Sequence, residues 1–507
     1  MILDKKASGI LLHPSSLPGD YGIGEIGKEA LAFIDRLADM GQRYWQMLPL
    51  NPIGAGASPY SSPAGSACND LLISMDGLVA DGLLTDDEVS PLKAFPRGRA
   101  DFKALMALKP ALLDLASDRF IASAPESLKK DYNDFVALHD QRWLHDYALY
   151  SALHLANGYV SWTEWGDGLA RRDKDAMERA EKDHAIIIER LKVRQFLFDR
   201  QWQQLRDYAA DKDIQLIGDI PIFVSHDSSD VWANQHMFKL DTHGKPTVVA
   251  GVPPDIFSQT GQRWGNPHYD WDAMARDGFN WWKQRIERLK QLADIIRIDH
   301  FLAFSSAWEI GAAEPTAING HWTPAPGHQL FQAFLDHFGK LPLIAEDLGL
   351  ITEEVIALRK AFDIPGLHVL QFDIEESDKD PRHYPAESVT YTGTHDNNTT
   401  LGWFRNEGLA AKPSAEGIAM QAQVLERLGG DGNDMNWRLI DYAMQGASNL
   451  VLMPLQDVLD LGAEARMNVP GTAEGNWDWR FTWDQLTTAR INKLQQMTIN
   501  WERGRSK

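Results

Sequence analysis

Eight short apolar runs punctuate the chain, at 9–13, 44–50, 214–223, 295–301, 341–346, 368–372, 389–394 and 450–455. Runs that are apolar on both faces belong to strands of a parallel sheet, where helices cover one side and the strand side chains fill the other. Amphipathic helical patterns lie between them. In 30–40, Leu31, Ile34, Leu37 and Ala38 share one face before Gly41 supplies a C-terminal cap. Strand–helix alternation predicts an α/β fold, and eight such strands close a (β/α)8 TIM barrel.

The spacing is uneven, and that sets the organisation. Between the second and third runs, 51–214 is rich in Leu, Ala, Lys and Asp with helical periodicity, too long for a crossover, and predicts a mainly helical insertion. Within it, 97–156 and 174–212 read as helices, and the Gly/Ser/Ala/Pro-rich 54–66 reads as a loop over the barrel mouth. Two more Gly/Pro-bearing segments, 248–267 and 466–472, are expected as active-site loops. After the last run only about 50 residues remain, too few for a C-terminal β-sandwich of about 100. The expectation is one catalytic barrel over 1–507 with large insertions and no C-terminal β-sandwich domain.

Three strand patterns end on an acid: IRIDHF at 296–301, LIAEDLG at 343–349 and TGTHDN at 392–397. The C-terminal ends of all barrel strands open on one face, so Asp299, Glu346 and Asp396 converge there despite their separation. The 47 residues from Asp299 to Glu346 and the 50 from Glu346 to Asp396 each hold one enlarged or two ordinary strand–helix units. Carboxylates gathered in this way point to acid–base chemistry on a sugar. Period-two alternation puts Arg297 beside Asp299 on the inner face, where a guanidinium favours the ionised carboxylate that a nucleophile requires. Glu346 needs burial and nearby carboxylates to hold a proton near neutrality. Asp347 faces the other way and reads as a helix cap or a structural acceptor, and His395 is placed to hydrogen-bond a sugar hydroxyl.

Charge and composition narrow the partners. The net charge of −21 repels phosphate backbones and anionic lipid surfaces, which argues against nucleic-acid and membrane partners and for a neutral ligand. The 18 Trp exceed what a core alone needs and are compatible with platforms for sugar rings. A single cysteine, Cys68, permits no intrachain disulfide or paired-thiolate site. With no signal-peptide core and no apolar stretch of about 18 residues, the chain reads as soluble and cytoplasmic. Gly22-Ile-Gly24-Glu-Ile-Gly27 matches the dinucleotide fingerprint GxGxxG, but SSLPGDY intervenes after the strand and the next strand lacks the acid that would bind a ribose. The acidic 373–380 lacks the glycine and spacing of a calcium loop and reads as solvated. No cofactor, metal or obligatory protein partner is implied.

At these residues the chain resembles the 4-α-glucanotransferases called amylomaltases or disproportionating enzymes, glycoside hydrolase family 77 of the α-amylase clan. The resemblance extends over nearly the whole chain and includes SGILLHPSSLPGDYGIGEIG at 8–27, SPYSSPAGSACN at 58–69, GDIPIFVSHDSSDVWA at 218–233, VVAGVPPDIFSQTGQRWGNP at 248–267 and RMNVPGT at 466–472. It implies Asp299 as nucleophile, Glu346 as general acid/base and Asp396 as the stabiliser that holds sugar hydroxyls, assisted by Arg297 and His395. It places Asp219, Trp264 and Asn468 along the glucan groove and Tyr60 either facing the acceptor side or gating it. Malto-oligosaccharides and α-1,4-glucans would be donor and acceptor. An α-glucan hydrolase of the same clan and a non-catalytic maltodextrin-binding barrel are the alternatives. The family's usual Pro within WTEWGDGL at 162–169 is Gly166 here, a departure that bears on local helix geometry and not on catalysis.

Overall fold

A computed structural model describes residues 2–254, 258–349, 351–376, 378–408 and 411–504. In chain order the strands are β1 (Ala7–Leu11), β2 (Tyr44–Gln46), β3 (Gln215–Pro221), β4 (Val248–Val252), β5 (Gln262–Pro267) and β6 (Ile295–Asp299). They continue with β7 (Ser306–Gly311), β8 (His321–Pro324), β9 (Leu343–Ala345), β10 (Gly366–Val369), β11 (Ser388–Tyr391) and β12 (Leu450–Pro454). Eight of them form one parallel sheet in the order β10-β11-β12-β1-β2-β3-β6-β9, and each overlaps one of the eight apolar runs, β10 only at His368 and Val369 because Leu370–Asp373 is helical. The two ends of the sheet meet where the Ala345 N–H, on β9, donates to the Pro365 carbonyl just before β10 at 2.8 Å, which closes the barrel. The fold is therefore the (β/α)8 barrel.

Alternation fills it in layers. Ile217, Ile295, Ile344, Val369, Val389, Tyr391 and Leu450 pack together inside the barrel, while Ile296 and Ile298 point outward into the helical shell. Above the apolar interior the inward positions turn polar, with the Tyr391 hydroxyl donating to Gln46 Oε1 at 2.6 Å and Asp219 in register with Arg297. An apolar plug below thus supports a charged layer at the C-terminal mouth.

The first helix, Lys28–Asp39, buries Ala30, Phe33, Ile34 and Leu37 on the barrel, and Gly41 ends it with a φ of +75°. Residues 51–214 are helical over Phe102–Ser123, Glu126–His139, His145–Ala156, Lys174–Asp183 and Ala185–Asp211. The last of these lies against the barrel, where Trp202 donates to the Leu292 carbonyl at 2.9 Å. The glycine motif at 22–27 is a packing junction. A Cβ on Gly24 would stand 2.0 Å from the Pro14 carbonyl oxygen, and Glu25 between the glycines forms a buried ion pair with Lys109 of the insertion.

One expected loop is different. Most of 248–267 is strand: β4 and β5 pair antiparallel and join β7 and β8 in a four-stranded sheet of order β5-β4-β7-β8. Its glycines and prolines suggested a loop, yet Val249 and Ile310 face each other across the strands and build a small core of their own. Asp255, Ile256 and Phe257 of that segment lie outside the described residues, as does Ser377 of the acidic stretch. After β12 no further strand follows among the described residues, and the final helix, Thr488–Asn500, returns to the first strand–helix unit, with Gln42 donating to Thr498 Oγ1 at 2.9 Å. No helix among the described residues is long and apolar enough to cross a membrane.

Candidate active site

Arg297 organises the mouth. Its Nη1 lies 2.6 Å from Asp219 Oδ2 at the end of β3 and 3.2 Å from Asp299 Oδ1 on its own strand. The guanidinium is buried and its ordinary affinity for its proton is strengthened, burial being outweighed by Asp219 and Asp299. Asp219 also accepts from the Tyr60 hydroxyl at 2.7 Å, and its buried Oδ1 has no partner among the described residues. Burial first, then Asp219, pushes the Tyr60 phenol well above its usual range, so it remains a donor.

Glu346 follows β9, and its backbone N–H continues the ladder to the Ile298 carbonyl at 2.9 Å, which sets it beside the end of β6. Its carboxyl accepts from the His300 N–H at 2.5 Å. That donor is aimed by a left-handed turn, with His300 at φ +53°, directly after Asp299. Burial raises the Glu346 carboxyl above its ordinary range, against the pull of Arg297 and of this N–H. Asp347 is a structural acceptor, as its facing suggested. It takes the Leu367 N–H of β10 at 2.8 Å and pairs with Arg359 at 3.0 Å, which stitches the barrel seam and turns Glu346 inward.

Asp299 departs from expectation. Arg297 does favour its ionised form, but burial raises the carboxyl well above the carboxylate range, and Glu346, Asp219 and Asp396 add to the rise. One guanidinium, held more closely by Asp219, does not outweigh burial and three neighbouring acids. Asp299 and Glu346 thus each retain a proton to higher pH than an isolated carboxyl.

Asp396 sits on the connection after β11. Asn468 Nδ2 donates to its Oδ1 at 2.6 Å, Arg466 Nη2 to its backbone carbonyl at 2.5 Å, and His395 Nε2 lies 3.4 Å from its Oδ2. The His395 ring stacks on Tyr60 with centroids 5.2 Å apart and planes 14° from parallel, and burial lowers its proton affinity. Trp264, 39% exposed on β5, meets the His300 ring edge-on at 4.8 Å. All nine residues expected at the site are thus linked to this mouth. Sequence reasoning passed over His300, Trp477 and Arg466. Trp477 packs on both Tyr60 and His395, with centroids at 5.7 and 5.9 Å. His300 follows Asp299 directly and Arg466 opens the RMNVPGT segment, so both lay inside motifs already noted. Among the described residues no cluster of His, Cys, Asp or Glu is arranged to hold a metal ion.

An eight-stranded barrel whose C-terminal mouth gathers Asp219, Asp299, Glu346 and Asp396 around one buried guanidinium fits an enzyme of glycosidic-bond chemistry. Residues 12–487 match the family model for 4-alpha-glucanotransferase. The 4-alpha-glucanotransferase of Thermus thermophilus is 43% identical over 98% of this chain and 99% of its own. The chloroplastic/amyloplastic enzyme of Solanum tuberosum is 40% identical over 99% of this chain and 87% of its own. The amylomaltase from Streptococcus agalactiae, solved in complex with acarbose, superimposes with a TM-score of 0.93 at 36% identity, covering 99% of this chain and all of that one. The chain belongs to the 4-alpha-glucanotransferase family and is a transferase acting on α-glucans.

Proposed function

We propose that the protein transfers a segment of one malto-oligosaccharide to the 4-hydroxyl of another by retaining double displacement. In this reaction two carboxyl groups work from opposite sides of the bond, one as nucleophile and one as acid then base. In the reacting form Asp299, with the cation at 3.2 Å, takes the ionised role, and Glu346, the acid with no cation paired to it among the described residues, takes the proton. Asp299 attacks the anomeric carbon while Glu346 protonates the departing glycosidic oxygen. The β-glucosyl ester is then opened by an acceptor 4-hydroxyl whose proton returns to Glu346, and an α-1,4 bond is restored. The free Oδ1 of Asp219, together with Asp396 and His395, binds hydroxyls of the reacting sugar, Trp264 offers an exposed ring to the glucan, and Asn468 and Tyr60 hold their acids in place.

Transfer prevails over hydrolysis when the acceptor is oriented well enough to overcome water at about 55 M, which effective molarities of oriented groups reach. The observation that carries the reading is Arg297 bridging Asp219 and Asp299 beside a Glu346 whose carboxyl is raised. The charge balance, single cysteine and lack of an apolar span support a cytoplasmic setting. The test is incubation with maltotriose alone. Glucose plus a ladder of longer dextrins at constant reducing ends is the expected result; rising reducing ends with only shorter products would mean hydrolysis, and no change would mean a binding protein.

A further inference from the structure

Asp457 is a buried carboxylate outside the chemistry just described. It lies on the short helix Leu455–Val458 directly after β12, is 1% exposed, and takes part in no ion pair among the described residues. Its charge is met by three donors instead: Thr392 Oγ1 at 2.9 Å, Thr400 Oγ1 at 2.7 Å and the Thr400 N–H at 2.7 Å. Thr392 is the residue after β11, and Thr400 begins the helix Thr400–Phe404. The segment between them carries His395 and Asp396. One side chain therefore pins both ends of the connection that presents Asp396, and it does so from the neighbouring strand of the barrel.

A carboxylate accepts all three bonds as the hydroxyls and the N–H donate them, whereas an amide would keep the contacts only by giving its oxygen to the Thr400 N–H and reversing both threonine hydroxyls into acceptors. The carboxylate is itself anchored, since Asn436 Nδ2 donates to the Asp457 carbonyl at 2.7 Å. Inside the pinned span, Asn397 Oδ1 accepts from the Thr394 N–H and hydroxyl, and Gln371 donates to the Asn398 carbonyl at 2.9 Å, so little slack remains once the ends are held.

We propose that Asp457 is a positioning residue for the reaction, fixing the Asp396-bearing connection through Thr392 and Thr400. The inference rests on the catalytic reading of Asp396. A group misplaced by about 1 Å can lose on the order of 100-fold in rate, and that is the loss expected in kcat for Asp457→Ala on maltotriose. KM should change by less than about threefold, because the remaining hydroxyl-binding groups are untouched. Asp457→Asn, which keeps part of the bonding, should fall between. The decisive comparison adds Asp396→Asn and the double variant Asp396→Asn/Asp457→Ala, with thermal unfolding measured for each. If Asp457 acts through Asp396, the double variant is no slower than Asp396→Asn alone. Losses that multiply in the double variant, or a folded Asp457→Ala within about twofold of the parent in kcat, overturn the proposal. Should Asp457→Ala fail to fold, Thr392→Val and Thr400→Val, each deleting one donor, carry the same comparison, and unaltered kcat in both overturns it equally. Parent-like turnover in Asp396→Asn by itself would instead remove the reading of Asp396 on which the inference stands.

Discussion

The Tyr60 hydroxyl donates to Asp219 Oδ2 at 2.7 Å, joining a residue of the segment after β2 to the end of β3 across 159 positions of sequence. The same oxygen receives Arg297 Nη1, so phenol and guanidinium together fix the rotamer of Asp219 and leave its Oδ1 free for a ligand. Ring stacking on His395 holds the phenol in turn.

Tyr60→Phe isolates that hydroxyl. The ring and its stack remain, while Asp219 loses one of two donors, a change worth about 1.5–3 kcal/mol for a hydrogen bond to a charged acceptor. The expected result is a fall of roughly 10- to 100-fold in kcat/KM for maltotriose disproportionation, with the melting temperature lowered by no more than a few degrees. An unaltered kcat/KM would mean that Arg297 alone suffices to hold Asp219.

The raised carboxyl of Glu346 makes a prediction about stability as a function of pH. A carboxyl whose folded pKa exceeds its unfolded value binds more protons when folded, so stability declines as pH rises from the unfolded value of about 4.5 through the folded one, and is flat outside that window. Glu346→Gln abolishes this titration and still offers an oxygen to the His300 N–H. The inactive variant should therefore melt above the parent at pH 7, by about 1–4 °C, and the gap should close toward pH 4. A variant that melts below the parent at pH 7 would contradict the direction assigned to Glu346.

Asn468 supplies the bond that holds Asp396 from the far end of the chain. Asn468→Ala leaves the backbone anchor from Arg466 intact and removes only the side-chain restraint. Roughly a tenfold loss of kcat is expected, corresponding to about 1.4 kcal/mol in the transition state. Steady-state kinetics on maltotriose decide it. A change confined to KM would place Asn468 in glucan binding and not in the orientation of Asp396.

What the sequence made legible follows from burial. A strand covered on both faces must be apolar almost throughout, so the eight barrel strands stood out as runs, and an acid at the end of such a run, as at Asp299 and Glu346, broke the pattern where the barrel opens. The antiparallel sheet did not stand out. β4 and β5 carry Gly251, Gly265 and Pro267, residues that mark turns elsewhere, and the sheet is completed by β7, which pairs with β4 from further along the chain and in turn with β8. His300 escaped notice because a left-handed histidine has no local signature, and Trp477 because its role depends on contact with residues 417 and 82 positions away, Tyr60 and His395. For Asp299 only part of the electrostatic balance was legible. One adjacent cation is visible in IRID, whereas burial and the three other acids are assembled only by the fold.

The family resemblance implies a proline where the chain has Gly166, and the backbone there is ready to receive one. The residue has φ −51° and ψ 143° as the N-cap of the helix Asp167–Ala170, within the range a pyrrolidine ring imposes. Trp165 before it is extended at φ −68° and ψ 158°, as a residue preceding proline must be, and a Cβ at Gly166 meets nothing within 4 Å. No described hydrogen bond uses the Gly166 N–H, while its carbonyl accepts from Leu169 at 2.8 Å, a bond that proline retains. Gly166→Pro should therefore act on the unfolded chain by narrowing its conformations, and stabilise the fold by about 0.4–1 kcal/mol. Chemical denaturation measures this as a higher midpoint at unchanged slope, and activity on maltotriose should equal the parent's. A lower midpoint would show that the glycine's freedom is needed here.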